Sequence, residues 1–168
     1  MSKALDLATL VTGNFATTAD VTNAIDGIVI PDGVKVLQVN RTNLASTVTT
    51  SNTAYATLMT GSTITLASAS NSLLVDVSLS IDIKGNGATV TPEAYVELRD
   101  SAGVALDTHM IYHSDLAGSS SRLTSTVRLQ ALYSPSTTSE TVTVHYKCDQ
   151  GALEVNDSSS ITITEIAA

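Results

Sequence analysis

Residues 73–87 read LLVDVSLSIDIKGNG. Val75, Val77, Leu79, Ile81 and Ile83 fall on one side of an extended chain, and Asp76, Ser78, Ser80 and Asp82 fall on the other. A period of two is the mark of a β-strand with one face on a core and one toward water, and no helical period fits the same residues. The run stops at Gly85-Asn86-Gly87, residues suited to a tight turn.

The same rhythm recurs in both directions from this strand. It is present in KVLQVNR (35–41), AYATLM (54–59), EAYVELRD (93–100), VRLQALY (127–133), ETVTVHYKC (140–148) and SITITEI (160–166). Between several of them lie SAGV (101–104), DLAGSSS (115–121), SPSTTS (134–139) and DQGA (149–152), which carry turn chemistry. Many short strands with no interleaved helical pattern predict an all-β antiparallel sandwich, with the jelly roll leading and a plain Greek-key or immunoglobulin-like sandwich as the alternative. The cysteine and tryptophan framework of immunoglobulin domains is missing, since the chain has one cysteine and no tryptophan.

Composition narrows the partners. The chain has 168 residues, of which 43% are hydrophobic and only 14% charged, room for one core and a short appendage but not for two full domains. Ser and Thr make up roughly a quarter of the sequence, so small hydroxyls take the place of charge on β-rich surfaces. A net charge of -8 repels phosphate backbones and anionic lipid, which argues against nucleic acid and membrane surfaces as partners. No apolar run is long enough to span a bilayer, and the opening MSKALDLATLVTGNFATTADV lacks the apolar core and cleavage site of an export signal; a soluble, unexported chain is expected. Cys148 alternates in phase with Val142, Val144 and Tyr146, which predicts a buried thiol.

Residues 1–32 do not continue the strand rhythm. Leu5, Leu7, Leu10, Val11, Phe15, Ile25, Ile28, Val29 and Ile30 cannot be hidden within so short a segment. They predict an arm that packs on another surface, either its own sandwich or a neighbouring protein. Residues 33–168 are the expected jelly-roll domain.

The ordered elements VKVLQVNRTN (34–43), SASNSLLVDVSLSIDIKG (68–85) and SPSTTSETVTVHYKCDQGALEVNDSSSITITEIAA (134–168) carry a resemblance. They are similar to the small jelly-roll domains of bacteriophage fibre and virion-surface proteins, themselves similar to the trimeric jelly roll of tumour necrosis factor and the globular complement domain. The resemblance implies a homotrimer whose last strand is central in its sheet and close to the three-fold axis. It marks Ile161, Ile163 and Glu165 as the trimer or core strand. It also implies a virion-surface location, production in a host cytoplasm, and docking of the arm on a major capsid protein or a fibre or tail adaptor.

The candidate chemistry is sparse. His109 and His113 would stand about 13 Å apart on a strand, too far for one intrachain metal ion. Asp76 and Asp82 would stand about 20 Å apart, beyond the separation of paired glycosidase carboxylates. Glu93, Glu97, Asp100, Asp107 and Asp115 could meet only through the fold. No nucleophile-elbow, zinc-protease or phosphate-loop motif is present. We expect no catalytic residue, no cofactor and no metal. His145 is expected to face outward, Tyr95 and Tyr133 to fill the core or the trimer axis, and Tyr112 with His113 to form an exposed contact. Two functions fit: a trimeric capsid decoration or cement protein, and a fibre tip that recognises a host-surface glycan or protein.

Overall fold

The computed structural model of the chain describes residues 35–85, 91–112 and 122–168. The docking arm, the Asn86-Gly87 half of the predicted turn, His113 and Asp115 lie outside the described residues. Val36–Ala168 forms one compact unit. Among the described residues there are twelve strands and no helix: β1 (Val36–Asn43), β2 (Val48–Thr50), β3 (Ala56–Thr60), β4 (Ile64–Thr65), β5 (Ser72–Lys84), β6 (Glu93–Arg99), β7 (Ala105–Tyr112), β8 (Arg122–Tyr133), β9 (Ser139–Glu140), β10 (Thr143–Gln150), β11 (Ala152–Val155) and β12 (Ser160–Ile166).

One rule describes their pairing. β1 pairs with β12, β2 with β11, β3 with β10, β4 with β9, β5 with β8 and β6 with β7, always antiparallel. The domain is therefore a single long hairpin whose tip is the Asp100–Val104 turn, closed by Gly103 N–H on the Asp100 carbonyl at 3.0 Å. Val36 faces Ile166, Val48 faces Val155, Ile64 faces Glu140, Leu73 faces Tyr133 and Glu93 faces Tyr112. Each step inward from one end is matched by nearly the same step from the other.

A flat ribbon of this length would leave one apolar face in water, so it rolls up. β5 takes β12 and then β11 on the edge opposite β8, and β10 takes β6 on the edge opposite β3. The result is a sheet ordered β1-β12-β5-β8, extended by β11 and β2, facing a sheet ordered β3-β10-β6-β7. Nested hairpin pairs rolled into two sheets are a jelly roll, and this order decides against the plain Greek-key alternative.

The core lies between the sheets. Val75, Val77, Leu79, Ile81 and Ile83 of β5 are fully buried, as their alternation predicts, and so are Ala94, Val96 and Leu98 of β6 and Val142 and Val144 on the β10 side. Cys148 is a buried free thiol, and burial pushes its pKa up. The strands are less uniform than the pattern suggests, since β5 has 13 residues and β8 has 12. β12 runs between β1 and β5, an inner position, with Ile161 and Ile163 buried. Gly61 leaves room for this strand: a Cβ there would sit 3.1 Å from Ile163 Cδ1 and 3.2 Å from Val142 Cγ2. At Gly151, between β10 and β11, φ is 88°, a conformation that side chains with a Cβ disfavour.

Candidate functional site

The two outer sheet faces and the buried polar groups are where this fold can do chemistry. On the β1-β12-β5-β8 sheet, Val39 lies opposite Thr164, Thr164 opposite Leu74, and Leu74 opposite Leu132. This straight row crosses four strands on the outer face, with Leu132 67%, Val39 56% and Leu74 37% exposed. The next row is Arg41, Thr162, Asp76 and Gln130. Asp76 accepts a hydrogen bond from Gln130 Nε2 at 3.1 Å, and Arg41 donates to Asn43 Oδ1 and Ser160 Oγ.

Farther along β5, the outer-face alternation breaks. Asp82, expected on the solvated side, is fully buried. It accepts hydrogen bonds from Arg122, Thr124 and Asn156. Arg122 also approaches Glu154, which pairs with Lys84 at 2.6 Å. The hydrogen bond from Arg122 holds the Asp82 carboxyl well below the usual range against the opposing effect of burial, with Thr124 and Asn156 adding to the lowering. Asp76 and Asp82 thus have separate partners.

Glu165 lies in the core-facing row Gln38, Glu165, Leu73, Tyr133. Its fully buried carboxylate accepts hydrogen bonds from Gln38 Nε2 at 2.6 Å, Asn71 Nδ2 at 2.6 Å and the Ala67 amide at 2.7 Å. Burial pushes its pKa up, but the hydrogen bonds from Asn71, Gln38 and the backbone at Ala67 and Ser68 outweigh this and hold it below the ordinary value. Glu140, also buried, accepts from the Ser101 amide and hydroxyl at 2.8 Å each and from Tyr133 Oη at 3.2 Å, which ties the hairpin tip to β9.

The opposite face, on β3-β10-β6-β7, holds a tyrosine and cation cluster. Lys147 faces Tyr95, and Tyr95 faces Met110; His145 faces Glu97, and Glu97 faces Thr108. Lys147 Nζ lies 4.3 Å from the Tyr95 ring centre and 5.6 Å from that of Tyr55, over which Arg99 sits at 5.3 Å. Each cation has its own carboxylate, Lys147 with Asp149 at 2.6 Å and Arg99 with Glu97 at 2.7 Å. Tyr95 donates its hydroxyl to Glu93, and that bond is the main reason its pKa is pushed up to about 12. His145, half-buried beside Thr143, has its pKa lowered first by burial and then by Arg99.

Tyr133 packs on the core as expected, whereas Tyr95 does not. It stands on the outer face because Ala94, Val96 and Leu98 take the inward positions of β6. Tyr112 is exposed at the end of β7. His109 is exposed as well, and among the described residues no three His, Cys, Asp or Glu side chains gather to hold a metal ion. Sequence reasoning placed Asp82 on the solvated face, where it is in fact buried, and missed Glu140 and the Tyr95–Lys147 pair. Tyr95, Glu93 and Glu97 share one parity opposite an apolar parity, which was the available signal for an outward tyrosine.

No protein-family model matches the chain, and no curated protein matches it significantly. Among solved structures it is similar to the VP2 subviral particle of infectious bursal disease virus, with TM-score 0.43 and 12% identity over 79% of this chain and 33% of that one. It is also similar to the EclA C-terminal domain, a sugar-binding protein, with TM-score 0.38 and 13% identity over 90% of this chain and 99% of that one. A third is the Eiger TNF of S. frugiperda, with TM-score 0.40 and 10% identity over 77% of this chain and 92% of that one. The chain spans about a third of the length of the VP2 protein it matches.

Proposed function

We propose that this chain is a bacteriophage virion structural protein, a homotrimeric jelly roll that decorates the capsid surface, with residues 1–32 docking on the major capsid protein and with no catalytic role. The observation that carries the self-association is the row Val39, Thr164, Leu74, Leu132. Three large apolar side chains in register on one strand-crossing line, with an uncharged threonine between them, favour contact with another apolar surface over contact with water. A second copy suits the neighbouring row too. Arg41 and Asp76 carry opposite charges two strands apart, so copies rotated about a symmetry axis can set unlike charges side by side. β12 lies within this face, in keeping with a terminal strand close to the axis.

Light scattering on the full chain tests the reading. A species of three times 17.4 kDa is expected, and Leu132→Asp should shift it toward the single-chain mass with the fold retained. A wild-type protein that stays at the single-chain mass at micromolar concentration would defeat it. Electron microscopy of intact particles tests the location: hundreds of copies over the shell are expected for a decoration protein.

A second reading, a fibre tip that recognises a host-surface molecule, is favoured by one specific observation. Tyr112 and Met110 stand exposed on the opposite sheet, away from the face assigned to self-association. Tens of copies at the tail instead of the shell would decide for it.

A further inference from the structure

On the outer face of β6 and β7, Glu93 lies opposite Tyr112 and Tyr95 opposite Met110. Adjacent strands are about 4.8 Å apart and same-face neighbours along a strand about 6.7 Å apart, so these four side chains bound a patch about the size of one sugar ring. Met110 is 53% and Tyr112 57% exposed. The patch is built on strands, and Tyr95 is fixed within it by its hydroxyl bond to Glu93 and by Lys147 against its ring. Such a surface is shaped before any ligand arrives, which limits the ordering cost of binding.

Charge and size then select the ligand. Lys147 and Arg99 are each neutralised by a carboxylate on their own strand, and Glu93 adds an acceptor, on a chain of net charge -8. A polyanion gains nothing here. A protein partner is poorly matched as well, because a stable interface needs about 800 Å² per partner, and the large exposed apolar side chains of this face among the described residues are Met110 and Tyr112. A neutral saccharide fits both limits. Its C–H face can lie on the ring and thioether, while its hydroxyls, each donor and acceptor, can meet Glu93 and Lys147.

We infer that Tyr112, Met110, Tyr95 and Glu93 form a binding site for a neutral saccharide, an inference that rests on the recognition reading above. The experiment is a printed array of neutral, sialylated and uronic-acid glycans probed with full-length wild type, Tyr112→Ala and Val104→Ser. Val104 is exposed at the hairpin tip, outside the patch. Neutral glycans are expected to be bound, with signal falling about tenfold in Tyr112→Ala and unchanged in Val104→Ser. Thermal melting of both variants checks that neither has unfolded, and Tyr95→Phe, which removes only a hydroxyl, should weaken neutral binding by a smaller factor.

Binding confined to acidic glycans and lost in Tyr112→Ala would overturn the neutral class while leaving the recognition reading in place. Neutral binding that survives Tyr112→Ala would overturn this site, and no signal on any glycan would overturn the inference as a whole. The recognition reading itself stands or falls separately, on where the protein lies in the particle.

Discussion

The Glu165 carboxylate on β12 and the Asn71 amide before β5, 94 residues apart in the chain, are joined by a buried 2.6 Å hydrogen bond. Asn71 also accepts from the Ala168 amide at 3.3 Å, and Glu165 takes further bonds from Gln38 and Ala67. One carboxylate thus fixes the end of the chain, the first strand and the β4–β5 connection together. A buried charge is tolerable there because several donors satisfy it.

Removing that acceptor should be costly. Glu165→Ala strands the Asn71, Gln38 and Ala67 donors, at about 1–3 kcal/mol for each donor that water cannot reach, so a net loss of about 2–4 kcal/mol is expected in urea unfolding. Asn71→Ala should cost less, since Glu165 keeps its other partners. Equal and negligible losses in both variants would show that the connection is not held this way.

Stability should fall in acid. Both Asp82 and Glu165 have folded-state pKa values below the ordinary carboxylate value, so the unfolded chain takes up protons first. Their contribution is complete above about pH 4–5, near the unfolded carboxylate pKa, and is lost as pH drops through the lower folded values. The urea midpoint should therefore decline steadily below about pH 4. Asp82→Asn should be less stable than wild type at pH 7 and decline less on acidification; parallel curves for the two proteins would contradict this.

Ile163 is buried on the inner strand beside Gly61 and Val142. Ile163→Ala should lower stability by about 2–5 kcal/mol through lost transfer free energy and the cavity left behind. Deleting residues 161–168 should do more damage, because β1 and β5 would each lose a ladder partner. Thermal melting of both beside wild type checks the order, and an unchanged midpoint would remove the argument for a central terminal strand.

Gly151→Ala should destabilise by about 1–3 kcal/mol. The residue sits at a φ of 88°, and an added Cβ would run into the Lys84 carbonyl oxygen. Gly103→Ala, also at positive φ but with open space around the site, should cost less by the same denaturant measurement.

The sequence alone carried the elements of the core and the class of the fold. The alternation in 73–87 placed Val75, Val77, Leu79, Ile81 and Ile83 inside, the phase of Cys148 predicted its burial, and the pattern of SITITEI called for a strand with both faces buried in part, as the buried Ile161, Ile163 and Glu165 and the half-buried Thr162, Thr164 and Ile166 are. Period-two patterning is local, and a strand's inner face can be read from its own residues. What the tertiary structure decided was every feature that depends on which strands become neighbours. Asp82 is buried because Arg122 and Thr124 of β8 and Asn156, just after β11, close over it from 40 or more residues away. Val39, Leu74 and Leu132 form a row only because β1, β12, β5 and β8 align in one register, and Tyr95 finds Lys147 only because β6 lies beside β10. Each of these contacts is made across a strand boundary by hydrogen-bond register, and register between distant segments is fixed by the rolled hairpin as a whole.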